Sequence, residues 1–141
     1  MDMKRLLIGA IVGAITLHLT GILIFQMAAG DFYTANQGRL DIMRPDILRW
    51  SLILGDIALA ALYTMGIMSR PGEPTIRDGA ITGAVYGFLV WFGVDFIIYG
   101  FIDTWNLTLT IVDPILSLIH AGIAGAVIAA VLARVPKGVA A

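Results

Sequence analysis

Four apolar runs fill almost the whole chain, at residues 6–28, 50–68, 79–101 and 109–133, and they leave only short connections between them. A helix rises about 1.5 Å per residue, so roughly 20 apolar residues cross the ~30 Å hydrocarbon layer of a bilayer. With 59% hydrophobic residues and a mean hydropathy of +0.90, 141 residues cannot hide their apolar surface inside a water-soluble domain. The expected architecture is all-α. It is a single transmembrane domain over 1–141, a four-helix transmembrane bundle with helices at about 6–28, 46–69, 77–101 and 109–133, and its first partner is the lipid bilayer.

Several function classes drop out on composition. A net charge of −1 offers no basic footprint, so nucleic acid is excluded as a partner. The absence of cysteine removes disulfides, thiolate nucleophiles and thiolate-held metals. No HxxxH or HExxH spacing suggests a metal site, and Ser51 and Ser117 lack the elbow or neighbouring base of a nucleophile. No motif identifies an enzyme, and no cofactor is expected.

Lys4 and Arg5 precede the first run and MAAG ends it, in the manner of a signal peptide. The run exceeds the ~7–15 residues of a signal's apolar region, so a retained helix is expected. Four spans put Lys4, Arg5, Arg70, Arg77, Arg134 and Lys137 on one side and Arg39, Arg44 and Arg49 on the other; six against three favours cytoplasmic termini. Tyr33, Trp50, Tyr99 and Trp105 then form an aromatic belt at the outer face.

Helix starts follow from local chemistry. Pro45 suits the first turn of the second helix, where a missing N–H costs nothing. Asp113-Pro114 reads in the same way, as N-cap and first helical residue. Between the second and third spans, RPGEPTIRDG is a breaker cluster, and Thr75 with Asp78 resembles a capping box for the third helix.

The segment Gly9-Ala10-Ile11-Val12-Gly13-Ala14 recurs as Gly79-Ala80-Ile81-Thr82-Gly83-Ala84, and at the same offset Gly30, Thr34 and Asn36 meet Gly100, Thr104 and Asn106. An offset of two spans predicts two parallel helical-hairpin repeats related by an axis along the membrane normal. Gly9-x3-Gly13 and Gly79-x3-Gly83-x3-Gly87 are small-residue ridges that let helices approach closely, within this chain, in a homo-oligomer or in a larger membrane complex.

The polar residues inside the runs carry the functional expectation. Asp56 and Asp95 each lie a few residues inside an apolar run at similar depth in the outer half, and a carboxylate there costs on the order of 3 kcal/mol unless protonated, paired or hydrated. Such residues mark ion or proton sites; the structural alternative is a protonated carboxyl making one interhelical hydrogen bond. Stepping by four from the glycine ridge reaches Trp91, Asp95, Tyr99 and Asp103. Asp103 falls in the outer loop. His18 and His120 lie deeper, and Asp113, Ser117 and His120 share one helix face. If the helices enclose one cavity, it runs from the outer surface at Asp95 and Asp113 to His18 and His120 at the centre, with Asp56 and Tyr99 as further candidate binding residues. Carboxylate and imidazole together suit a proton, a small cation or an amine. The competing expectation is an accessory subunit that docks through its glycine ridges, with the aspartates as interhelical pins.

The pattern DFYTANQG after the first span, followed by VDFIIYG, NLT and VDP, resembles a family of small uncharacterised bacterial four-span membrane proteins, a domain of unknown function. The resemblance covers most of the chain. It implies the four-span topology and a bacterial inner-membrane address, and carries no activity, cofactor or catalytic residue.

Overall fold

A computed structural model describes residues 2–39, 44 and 46–136. Helix α1 (Met3–Gly21) starts at Asp2, whose carboxylate accepts from the Arg5 N–H at 3.1 Å and satisfies one of the orphan donors of the first turn. The helix runs on into a π-helical segment, Ile22–Ala28, which closes with Ala29 N–H bonded to Ile24 O at 2.9 Å, one residue wider than α-helical pairing. A short helix α2 (Gly30–Ala35) follows, then α3 (Arg49–Met68), α4 (Ile76–Phe101) and α5 (Leu107–Leu132). Thr75 caps α4 as its spacing predicts: Oγ1 accepts from Asp78 N–H at 3.1 Å and donates to the Asp78 carboxylate at 2.6 Å. Pro45 lies outside the described residues, and α3 begins at Arg49.

The expected start of the last helix is corrected. Asn106, not Asp113, is the N-cap of α5, accepting from Leu109 N–H at 3.0 Å, and Pro114 lies inside the helix. Helix formation from Leu107 satisfies backbone groups that lipid cannot, and this outweighs the single hydrogen bond that the proline forfeits.

Four helices, Met3–Ala28, Arg49–Met68, Ile76–Phe101 and Leu107–Leu132, are long and apolar enough to cross a membrane, which makes the chain a multi-pass membrane protein. They alternate in direction and place both termini at one end. There Arg5 Nη2 donates to Leu132 O at 3.1 Å, a cation on the last carbonyls of α5, and pairs with Glu73 at 3.4 Å. The opposite or far end carries α2 and the 102–106 connection.

Helix α5 is the most buried of the four. It packs along α4 where Gly79, Gly83 and Gly87 meet Gly125, Ala121 and Ser117, and a Cβ at Gly83 would overlap the Ala121 carbonyl. On the other side of the bundle Gly9 sits against Thr64, and Gly13 against Ala60 and Ile128. Both small-residue ridges are therefore occupied inside the bundle, where lipid supplies no competing drive and close backbone contact supplies the attraction. The core they frame contains Leu17, Tyr63, Ile67, Ile128 and Leu132. Helix α3 joins it only from Ala60 onward; its far-end half, with Trp50, Ile53, Leu54 and Ile57, is exposed.

The two halves meet at Asn36 and Asn106. Asn106 N–H donates to Asn36 O at 3.0 Å, its Nδ2 donates to Asn36 Oδ1 at 2.9 Å, and Gly38 N–H donates to Thr104 O at 2.8 Å around an antiparallel bridge of Gln37 with Trp105. In antiparallel pairing a local two-fold passes between directly opposed residues, so one between Asn36 and Asn106 exchanges each residue with the one 70 further on. That is the offset of the glycine ridges. Beyond this junction the halves differ: α5 starts directly after Asn106, whereas α3 starts thirteen residues beyond Asn36.

Candidate functional site

At the far end, α4 and α5 bring two carboxyls together with no cation. Asp95 is 0% exposed, and the one group in hydrogen-bonding position to it among the described residues is the Asp113 carboxyl, so as a carboxylate Asp95 has no donor. It lies beside Asp113, which is 9% exposed. No Lys or Arg forms an ion pair with either among the described residues; the arginines that pair do so with Glu73, Asp78 and Asp103. The glycine ridge explains how this arises: with the α4 and α5 backbones in contact below, the next large polar side chain on each helix must face the other.

Tyr33 closes the pair from above. Helix α2 folds it over the far end, and its hydroxyl donates to Asp113 Oδ1. Burial, then the acceptor bond to Asp113, push the phenol well above its usual range, so Tyr33 stays a neutral donor throughout the physiological range. Its ring is held edge-on by Phe25 at 5.9 Å, and Phe25 in turn meets the His120 ring edge-on at 5.1 Å. Phe25 comes from the π-helical segment, whose wider turn fixes where this ring falls.

His120 is buried and bonded through Nε2 to Leu17 O at 2.8 Å. A carbonyl only accepts, so Nε2 carries the hydrogen. His120 is within electrostatic reach of both Asp113 and Asp56 and stands between the far-end carboxyls and a second polar pair. That second pair is His18 with Asp56, Nδ1 to Oδ2 at 2.9 Å, with side chains 31% and 19% exposed. It opens on a groove between α1 and α3 whose other walls are apolar.

The sequence-expected residues thus fall into three places. Asp95 and Asp113 adjoin each other, His18 and Asp56 form a pair at a separate groove, and His120 lies buried between them. Tyr99 belongs to none of these: it is 43% exposed and lines a shallow far-end cavity with Gly100, Ile102, Asp103 and Trp105. Asp103 pairs with Arg39 at 3.7 Å in the surface connection. Tyr33 and Phe25 were not singled out as site residues from the sequence. Tyr33 reads there as a belt aromatic, and nothing in ILIFQMA signals π-helical winding.

Among the described residues no three or more His, Asp or Glu side chains gather closely enough to hold a metal ion. What the far-end geometry can do is hold positive charge. Two adjacent carboxyls cannot both stay ionised in a dry setting without a proton or a cation between them. No protein-family model, curated protein or solved structure matches this chain.

Proposed function

We propose that this is a multi-pass protein of a bacterial inner membrane, with both termini cytoplasmic, that binds a proton and exchanges it for a small cation or a protonated amine at Asp95 and Asp113. The observation that carries the reading is a fully buried carboxyl whose hydrogen-bonding neighbour is a second carboxyl, with no basic residue between them. Tyr33 holds one oxygen of Asp113 and leaves the space between the carboxyls to the transferred charge. With cytoplasmic termini the pair lies at the outer end of the bundle, beneath Tyr33.

The test is transport by purified protein in liposomes loaded with a pH-sensitive dye, with an imposed gradient of sodium, potassium or methylammonium. Cation-driven proton movement is expected in the wild type, lost in Asp95→Asn and in Asp113→Asn, and retained in Asp103→Asn. Equal movement in wild type and Asp95→Asn would sink the proposal. A second reading, an accessory subunit, is favoured by the exposed apolar far-end half of α3. It predicts a stoichiometric partner on purification from native membranes in mild detergent.

A further inference from the structure

Asp95 is 0% exposed and Asp113 9% exposed, so a cation reaches the carboxyl pair only when something moves. The helices that carry the pair are held fast. Along α4, Gly79 and Gly83 lie against the backbone carbonyls of Gly125 and Ala121, and a seam of backbone on backbone does not part easily. The cover is built differently. Over residues 22–39 no side chain is buried. The π-helical segment places Phe25 against Tyr33 and His120, α2 places the Tyr33 hydroxyl on Asp113, and the stretch ends where residues 36–38 meet 104–106. A segment held by a few polar and ring contacts, with no buried apolar side chain, is where a structure opens first.

The π-helical winding supplies a motion of the right size. Its i to i+5 pairing takes up one residue more per ring than an α-helix, so a return to α winding would turn everything beyond it by about 100° and move it by about 1.5 Å. A turn of that size carries Tyr33 off Asp113, and it cannot be made while Asn36 stays bonded to Asn106. We infer that residues 22–38 are the outer gate of the carboxyl pair, latched by the Tyr33 hydroxyl on Asp113 and by the Asn36–Asn106 junction, and that both latches part together to admit a cation. The inference rests on the transport reading for what passes the gate; the gate itself is tested without it.

The chain has no cysteine, so introduced thiols are read without background. Asp95→Cys in nanodiscs is labelled with a water-soluble methanethiosulfonate that carries a quaternary ammonium. Adding Tyr33→Phe or Asn36→Ala is expected to speed labelling roughly tenfold, the rise in open population that loss of one hydrogen bond produces. Arg5→Ala, which loosens the opposite end of the bundle, should leave the rate unchanged. Equal rates with and without the latch variants, or an equal acceleration by Arg5→Ala, would overturn the gate. A second arm uses Gln37→Cys/Trp105→Cys. These positions face each other as a non-hydrogen-bonded antiparallel pair, whose Cα atoms lie about 4.5 Å apart, within disulfide reach. In liposomes the oxidised variant should lose cation-driven proton movement at least tenfold and regain it on reduction; movement unchanged by oxidation would equally refute the gate. A wild type that moves no protons would end the transport reading alone, and the labelling rates would still decide the gate.

Discussion

Asp95→Asn should make the bundle more stable, by about 1–3 kcal/mol, while removing the proposed function. In the native structure the Asp95 carboxyl is buried against a second carboxyl with no other hydrogen-bonding group, so whenever both are ionised it has no donor. Leaving a buried acceptor unsatisfied costs about 1–3 kcal/mol, and more when it is charged. Asparagine has nearly the same shape but presents an N–H₂ that can donate to Asp113, turning an acceptor–acceptor contact into a donor–acceptor one. For a chain of this length a gain of about 2 kcal/mol corresponds to a rise in Tm of roughly 5–10 °C by soluble-protein scaling. Because the chain has no cysteine, thiol-reactive melting dyes are of no use, but Trp50, Trp91 and Trp105 report unfolding by intrinsic fluorescence. A site retained for function against stability gives a variant that melts higher and transports nothing. A structural pin gives the opposite, and a Tm for Asp95→Asn equal to or below the wild type would refute this reasoning.

Tyr33→Phe keeps the ring against Phe25 and removes the donor to Asp113; the expected cost is about 1–3 kcal/mol in thermal unfolding, with cation-driven proton movement reduced as well. Gly83→Val should destabilise by about 3 kcal/mol or more because its Cβ meets the Ala121 carbonyl, whereas Gly93→Ala, with open space around its Cβ, should be neutral or stabilise by up to about 1 kcal/mol; melting curves of the two decide it. Arg5→Ala strips a buried donor from Leu132 O and should cost about 1.5–3 kcal/mol, against no measurable change for the exposed Arg77→Ala. Single cysteines at Arg39 and Gly72 should label from opposite sides of the membrane, and labelling from the same side would end the four-span topology.

Much of the fold was legible because lipid removes alternatives. Backbone polar groups must pair within each span, so length and apolarity alone place four helices, and their observed ends depart from expectation by at most a few residues. The capping chemistry at Thr75 was equally readable, since it involves residues three apart. The start of α5 was misread for a related reason. Asp-Pro is a local signature, and local signatures yield where a longer apolar run can continue the helix and Asn106 offers a cap two turns earlier.

The site was legible only as far as helix geometry reaches. Each step of four residues turns an ideal helix by about 40° past a full turn, so from Gly87 the face has drifted by about 80° at both Gly79 and Asp95 and by about 120° at Tyr99. The first two are buried against α5 and the third is exposed, which marks how wide the buried arc of α4 is. The same arithmetic keeps Asp113, Ser117 and His120 within an arc of about 60°, and all three are buried. No such rule connects residue 33 to residue 113. That contact depends on a π-helical turn that re-aims Phe25 and on the Asn36–Asn106 junction that folds α2 back over the bundle. The expected repeat offset of 70 places Phe25 opposite Asp95, and Phe25 packs on Tyr33 and His120. The second half of the chain thus contributes the charge and the first half the aromatic support for its cover. If so, Phe25→Ala should loosen Tyr33 from Asp113 without touching either carboxyl. Transport should then fall while Asp95→Asn still raises Tm in the Phe25→Ala background, because the unsatisfied carboxyl remains. Loss of that stabilisation would mean that the aromatic cover, and not the carboxyl pair, sets the energetics of the far end.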